Sequence, residues 1–127
     1  MDFLLDTHTV IWFSENNSIL SERAREIISN PRNNCYMSVV SYWEMAIKIK
    51  IKKLNLGINL FDLEKELIQR GFVILPIKIE HVIKTIDLEL HHSDPFDRLL
   101  ISQAIIEKKQ IISRDNIFDK YGQIRIW

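Results

Sequence analysis

Met1-Asp2-Phe3-Leu4-Leu5-Asp6-Thr7-His8 opens the chain with an apolar run that stops on an acid and turns at once into polar residues. The run suits a buried strand, and the residues after it suit a helix start. In open α/β sheets, ligands bind in the crevice outside the carboxyl ends of the strands. Asp6 is therefore expected at the rim of such a crevice and not in the core. The rest of the chain can be asked whether it brings further acids to the same edge.

Working outward, Asp6-Thr7-His8-Thr9 before Val10-Ile11-Trp12-Phe13 reads as a cap followed by a short apolar helix. Ser21 to Ile28 has a serine cap and an early glutamate, with Pro31 as a stop just beyond, which predicts a surface helix of about two turns. Cys35-Tyr36-Met37-Ser38-Val39-Val40-Ser41 is rich in strand formers and predicts a second parallel strand ending on a capping serine. The helix expected after it, Tyr42 to Lys48, has Glu44 in its first turn. From Ala46 to Leu54, isoleucines alternate with lysines as in a half-buried strand, but no turn residue occurs before Gly57, which favours one continuing helix. Phe61 to Ile68 predicts an amphipathic helix stopped at Gly71, Phe72 to Pro76 a short buried strand, and Glu80 to about Leu88 a further helix.

In His91-His92-Ser93-Asp94-Pro95-Phe96-Asp97-Arg98-Leu99-Leu100-Ile101-Ser102-Gln103-Ala104, Asp94 suits a helix cap with Pro95 at the first helical position. Asp97 then falls in the first turn, at the positive end of the helix dipole. Gln110 to Asn116 predicts a strand ending on Asp115, followed by a short helical stretch, and Gln123 to Trp127 alternates as an edge strand does. This alternation of strands and helices predicts an α/β fold, a three-layer α/β/α sandwich with a central, mostly parallel sheet. At 127 residues, the expectation is a single domain over 1–127.

The charge balance, 17 Lys and Arg against 17 Asp and Glu, provides no overall basic field, so any nucleic-acid binding has to come from a local patch. One cysteine, Cys35, excludes an internal disulfide, and no apolar stretch is long enough to span a membrane. Without a leader-like N-terminus, a cytoplasmic protein is expected.

Asp6, Glu44, Asp97 and Asp115, with Asp94 nearby, thus fall at strand ends or helix starts along the whole chain. Each alone reads equally well as a cap or a solvated first-turn acid. Together, hard oxygen donors without a matching cationic cluster suit a Mg2+ or Mn2+ site, where such ions activate water for displacement at phosphorus. Phosphodiester hydrolysis is the reaction that fits.

These residues resemble the PIN-domain ribonucleases, in particular the VapC-like toxins of type II toxin-antitoxin pairs. The resemblance runs through Phe3 to His8, Ser41 to Lys48, Asp94 to Ala104 and Ser113-Arg114-Asp115. It implies a PIN-like α/β/α sandwich and a Mg2+- or Mn2+-dependent endoribonuclease acting on single-stranded or structured RNA. It also implies a cognate antitoxin protein and a homodimer. By position, Asp6, Glu44, Asp97 and Asp115 match the acidic quartet, and Thr7 and Ser113 match neighbouring hydroxyls. Asp94 matches a further acid whose capping role makes it the weaker metal ligand.

Other features compete. The lysines at 48, 50, 52 and 53 are the densest basic run, and Lys48 and Lys52 are the candidates for phosphate contacts, against a simple solvated face. His8, His81, His91 and His92 lack a zinc-binding spacing, although His8 stands close enough to Asp6 to contact substrate. Trp12, Phe13, Tyr42 and Trp43 read as core or partner-groove residues, because base stacking would need them exposed beside the site. An aspartyl-nucleophile phosphatase would want an acid where His8 stands. The alternatives kept open are a non-catalytic PIN-fold binding module and a nuclease acting on DNA.

Overall fold

The structure, a computed structural model, describes residues 1–127. It places five strands in one parallel sheet: β1 (Asp2–Leu5), β2 (Asn34–Ser38), β3 (Val73–Leu75), β4 (Gln110–Ile112) and β5 (Arg125–Ile126). The helices are α1 (Thr7–Ser14), α2 (Glu22–Ser29), α3 (Val39–Lys50), α4 (Leu60–Gln69), α5 (Ile79–Lys84) and α6 (Pro95–Ile106), with 3-10 segments at Thr85–Asp87 and Asn116–Tyr121. The spatial order is β3-β2-β1-β4-β5. The chain therefore winds outward from β1 in one direction through β3, then returns to place β4 on the other side of β1. That reversal makes the carboxyl ends of β1 and β4 the topological switch point, where such sheets open a crevice.

Alternation along the strands divides the core between two faces. Phe3, Leu5, Cys35, Met37 and Ile112 pack with Val10, Ala24, Met45, Leu63 and Leu67 on one side. Leu4 and Ile111 pack with Val40, Leu100, Ile101, Ala104 and Phe118 on the other. The expected sandwich around a parallel sheet is present, and β1 reads as continuously apolar because both of its faces are covered.

Several boundaries differ from the expectations. β2 ends at Ser38 and not at Ser41, and Ser38 is the cap of α3, its hydroxyl accepting from the Val40 amide at 3.1 Å. Val39 and Val40 favour strands by propensity, but Val40 is buried in the far-face core as the first turn of a helix, so packing overrides propensity. Glu44 accordingly lies in the second turn of α3, not the first. The isoleucine and lysine run continues as helix only to Lys50, and Lys52 turns the chain with φ of 60°. A non-glycine residue in that conformation leaves no mark in the sequence. β3 is an edge strand with Val73 exposed, not a buried one. The helix expected to reach Leu88 is α5 plus a 3-10 turn. β4 stops at Ile112, three residues short of Asp115.

One side chain fastens the loop that leads into α6. Arg98 donates to the carbonyls of Thr85 (3.0 Å), Leu88 (3.2 Å), Glu89 (3.0 Å) and His92 (3.3 Å). The Tyr121 hydroxyl closes the same loop, accepting from the amides of His91 and His92 and donating to the Glu89 carbonyl. Four carbonyls need the forked guanidinium, and a single ammonium cannot reach them all. Arg98→Ala is expected to destabilise the protein by on the order of 2 kcal/mol in denaturant melts, with Arg98→Lys recovering less than half. Full recovery by lysine would mean that charge and not the fork holds the loop.

Candidate metal and nuclease site

Asp6 follows β1 directly and caps α1, its Oδ1 accepting from the Thr9 amide at 2.9 Å. Its other oxygen accepts from the Ser113 hydroxyl. Ser113 follows β4, and its hydroxyl in turn accepts from the Asp115 amide at 3.0 Å. A single hydroxyl thus joins the acid after β1 to the acid after β4 across the switch point. Asp6 does stand at the carboxyl edge but is only 5% exposed, which corrects the expectation of an open rim position. Burial pushes its carboxyl above the usual range, with the Ser113 and Thr9 contacts opposing.

Glu44 arrives from α3 and is 4% exposed. The Thr7 hydroxyl donates to its Oε1 at 2.7 Å, and Thr7 Oγ1 also lies 3.0 Å from Ser41 Oγ. Lys48 Nζ donates to Glu44 Oε2 at 2.8 Å, one turn on. Lys48 is therefore at the site as a partner of an acid. Lys52 is not brought to it: eight residues past Glu44 along the helix direction is roughly 12 Å, and Lys52 lies exposed beyond the end of α3.

The helix α6 precedes a parallel strand, so it runs against the sheet and starts at the carboxyl edge. Asp94 caps it as expected, accepting from the Phe96 amide at 2.8 Å, and Asp97 sits in its first turn. Asp115 caps the 3-10 segment after β4, accepting from the Ile117 amide at 3.0 Å. Asp97 is where the convergence registers. Its carboxyl is pushed up to about 8, first by burial and then by the charges of Asp94, Asp6, Glu44 and Asp115. The other four acids identified in the sequence therefore all act on Asp97.

The residue that sequence reasoning missed is His92. Its Nε2 lies 3.0 Å from Asp97 Oδ2 and 3.0 Å from Asp115 Oδ2. Its Nδ1 accepts from the Asp94 amide at 3.2 Å, which assigns the proton to Nε2 and makes the ring a neutral donor aimed at both carboxylates. The acids, expected to lack a matching cationic cluster, are given two individual partners by the structure: Lys48 serves Glu44, and His92 bridges Asp97 and Asp115. The only signal in the sequence was its place two residues before Asp94, and zinc spacing was the wrong test for it.

The donor set is carboxylate oxygen from Asp6, Glu44, Asp97 and Asp115, the chemistry that suits Mg2+ or Mn2+ over a soft metal. Ligand atoms of His92, Asp97 and Asp115 all lie within 4.8 Å of one another. An open cleft of about 420 Å3 is lined by Asp6, His8, Trp12, Arg114, Asp115 and Asn116, so two of the acids, Asp6 and Asp115, border it. Trp12, expected in the core or a partner groove, lines this cleft. No helix is long and apolar enough to cross a membrane.

The sequence pattern of the PIN domain matches residues 3–124 of the chain. Among curated proteins, none matches it. The fold is similar to the structure of VapBC2 from Rickettsia felis bound to a DNA fragment from their promoter, with a TM-score of 0.74 at 16% identity, covering 99% of this chain and 98% of that one. It is similar also to DNA-bound VapBC from Salmonella typhimurium (TM-score 0.69, 16% identity, 100% and 97% covered). VapBC-1 from nontypeable Haemophilus influenzae aligns with a TM-score of 0.68 at 16% identity over 98% of this chain and 96% of that one.

A carboxyl whose folded pKa is raised contributes stability that is full below its ordinary value of 3.8 and is lost as pH rises through about 8. In chelator, the protein is therefore expected to lose stability from acid toward neutral and mildly alkaline pH. Asp97→Asn should flatten that loss and raise the melting temperature near pH 8 by several degrees. Identical pH profiles for the two proteins would mean that Asp97 carries no penalty from its neighbours.

Proposed function

This chain belongs to the PIN-domain family, and on that footing we propose that it is a Mg2+- or Mn2+-dependent endoribonuclease acting as the toxin of a toxin-antitoxin pair. The observation that supports the reading most is the meeting of Asp6, Glu44, Asp97 and Asp115, from four separate segments, at the switch point of the sheet. Like charges at this density are unfavourable unless a cation joins them or a proton neutralises one. A divalent ion held there supplies Lewis acidity toward a phosphate oxygen and lowers the pKa of a water molecule.

The chain's own groups prepare that chemistry. Ser113 and the Thr9 amide fix Asp6, while Thr7 and Lys48 fix Glu44. His92 aims Asp97 and Asp115 at a common point, in the way that donors behind a ligand shell hold carboxylates in register. A water approaching that point from the cleft meets carboxylates that can accept its proton. Asp94, with one oxygen on the Phe96 amide, acts on Asp97 by charge and as the helix cap.

Two uncovered apolar faces suit the two protein partners that the reading requires. One is a groove lined by Val39, Tyr42, Trp43, Ala46, Leu60 and Phe61, with Phe61 80% exposed. The Tyr42 hydroxyl there is buried without a hydrogen-bond partner, and burial and Glu64 push it up to about 12. An antitoxin segment with an apolar face and one acceptor would complete that groove. The other face, Ile79, Val82, Ile83 and Ile86 near α5, suits a second copy of the chain.

With Mg2+ or Mn2+, the protein is expected to cut single-stranded RNA. Asp6→Asn and Asp97→Asn should each lower the rate by at least about a hundredfold, while Asp94→Asn, which keeps a good cap, loses far less. Either metal should raise the melting temperature of the parent more than that of Asp97→Asn. Full activity in Asp6→Asn or Asp97→Asn would remove the proposal. Phe61→Glu is expected to abolish binding of an antitoxin encoded alongside and leave RNA cleavage unchanged, and binding at parent affinity would exclude the groove.

A further inference from the structure

A metal site needs neither an aromatic wall nor an uncommitted guanidinium, yet the cleft has both. Trp12 packs against the near-face core and also lines the cleft beside Asp6 and Asp115. The exposed His8 ring lies against it, centroids 5.6 Å apart and planes 33° from parallel. The Trp127 ring meets Trp12 edge-on at 5.9 Å. Core packing accounts for the buried part of Trp12, but not for the part that faces the carboxylates.

Arg114 lines the same cleft, is exposed, and takes part in none of the molecule's ion pairs, although it precedes Asp115. Of the basic run, Lys48 is at the site but bound to Glu44, Lys50 ends α3, and Lys52 and Lys53 lie past it. Arg114 is thus the cation in place to meet a phosphate entering the cleft.

Aromatic rings lining a cleft, the half-buried Trp12 and the exposed His8, beside a guanidinium in no ion pair suit an unpaired nucleotide, the rings for the base and the cation for the phosphate. We infer that Trp12 and His8 hold an unpaired base by stacking while Arg114 holds a phosphate next to it, so that the cleft takes single-stranded nucleic acid and seats its backbone against Asp6 and Asp115. The inference rests on the nuclease reading of the cleft and adds to it the residues that position the strand. A duplex is excluded by the same chemistry, since its bases are already paired and stacked and offer no free face.

The test measures binding in an Asp97→Asn background with chelator, where turnover is absent and one repelling charge is gone. The probes are a fluorescein-labelled oligouridylate and its duplex with oligoadenylate. Trp12→Leu is expected to weaken binding of the single strand about tenfold, and Trp12→Phe, which keeps a ring, by no more than about threefold. Arg114→Gln should reduce the slope of log affinity against log salt by about 0.7. The duplex should bind more weakly than the single strand. Equal affinities for Trp12→Leu and Trp12→Phe, an unchanged salt slope, or a duplex bound as well as the single strand would each overturn the inference. If thermal melts show Trp12→Leu to be unfolded, His8→Ala on the exposed ring takes its place, with a severalfold loss expected and no loss overturning. Cleavage by the Asp97 parent in Mg2+ or Mn2+ is scored separately. A parent that does not cleave, with the stacking and salt effects intact, leaves this binding wall standing and removes the nuclease reading. A parent that cleaves, with KM unchanged in Trp12→Leu and Arg114→Gln, removes the wall and leaves the nuclease reading.

Discussion

Carboxylates crowded into one crevice repel one another, and the fold has to hold them there before any cation arrives. Each of the four acids is restrained by at least one donor. The Thr9 amide and Ser113 hold Asp6, Thr7 and Lys48 hold Glu44, and the Ile117 amide holds Asp115. His92 donates to Asp97 and Asp115 together. Burial first, and then the charges of its neighbours, push the Asp97 carboxyl up to about 8. A site of this kind is a region where stability is given up for a function, since acids this close serve the core in no other way.

The topology explains why these residues meet. β1 and β4 are neighbours that wind away from each other, so the residues just past them, Asp6 and Ser113, face one crevice. α3 follows a parallel strand and α6 precedes one, so each presents its N-terminal half to the same edge. Glu44 and Asp97 come from those halves. The loop before α6 is the least regular of these supports, and Arg98 with Tyr121 turns it into a fixed mount for His92.

Much of this was legible in the residues. The apolar run into Asp6, the Asp94-Pro95 start of α6 and the strand before Ser113-Arg114-Asp115 each carry local chemistry strong enough to place an acid at an edge. What escaped depended on contacts distant in sequence. Ser38 and Ser41 are equally good caps, and only the burial of Val40 against α6 decides for Ser38, which moves Glu44 by most of a turn. Lys52 stops α3 in a conformation that its side chain does not announce. His92 has no motif of its own, because its role comes from Nδ1 turning back to the Asp94 amide so that Nε2 meets two carboxylates. Trp12 read as core or partner groove on pattern alone, and its place in the cleft shows only once β4 has brought Arg114 and Asp115 beside it.

The central claim is that the acids form one cation site at the switch point, and the molecule contains a built-in competitor for it in Glu80, His81 and Glu107, whose ligand atoms are also close together. His81 there is already satisfied on both ring nitrogens, by the Lys78 amide and by Glu107, which leaves it no free donor for a metal. Paramagnetic broadening of backbone amide signals by substoichiometric Mn2+ separates the two directly. The amides around Asp6, Asp97 and Ser113 to Asp115 are expected to broaden first, with those of Glu80, His81 and Glu107 unaffected at the same dose. Broadening that begins at Glu80 to Glu107, or spreads evenly over the exposed acids, would contradict that claim.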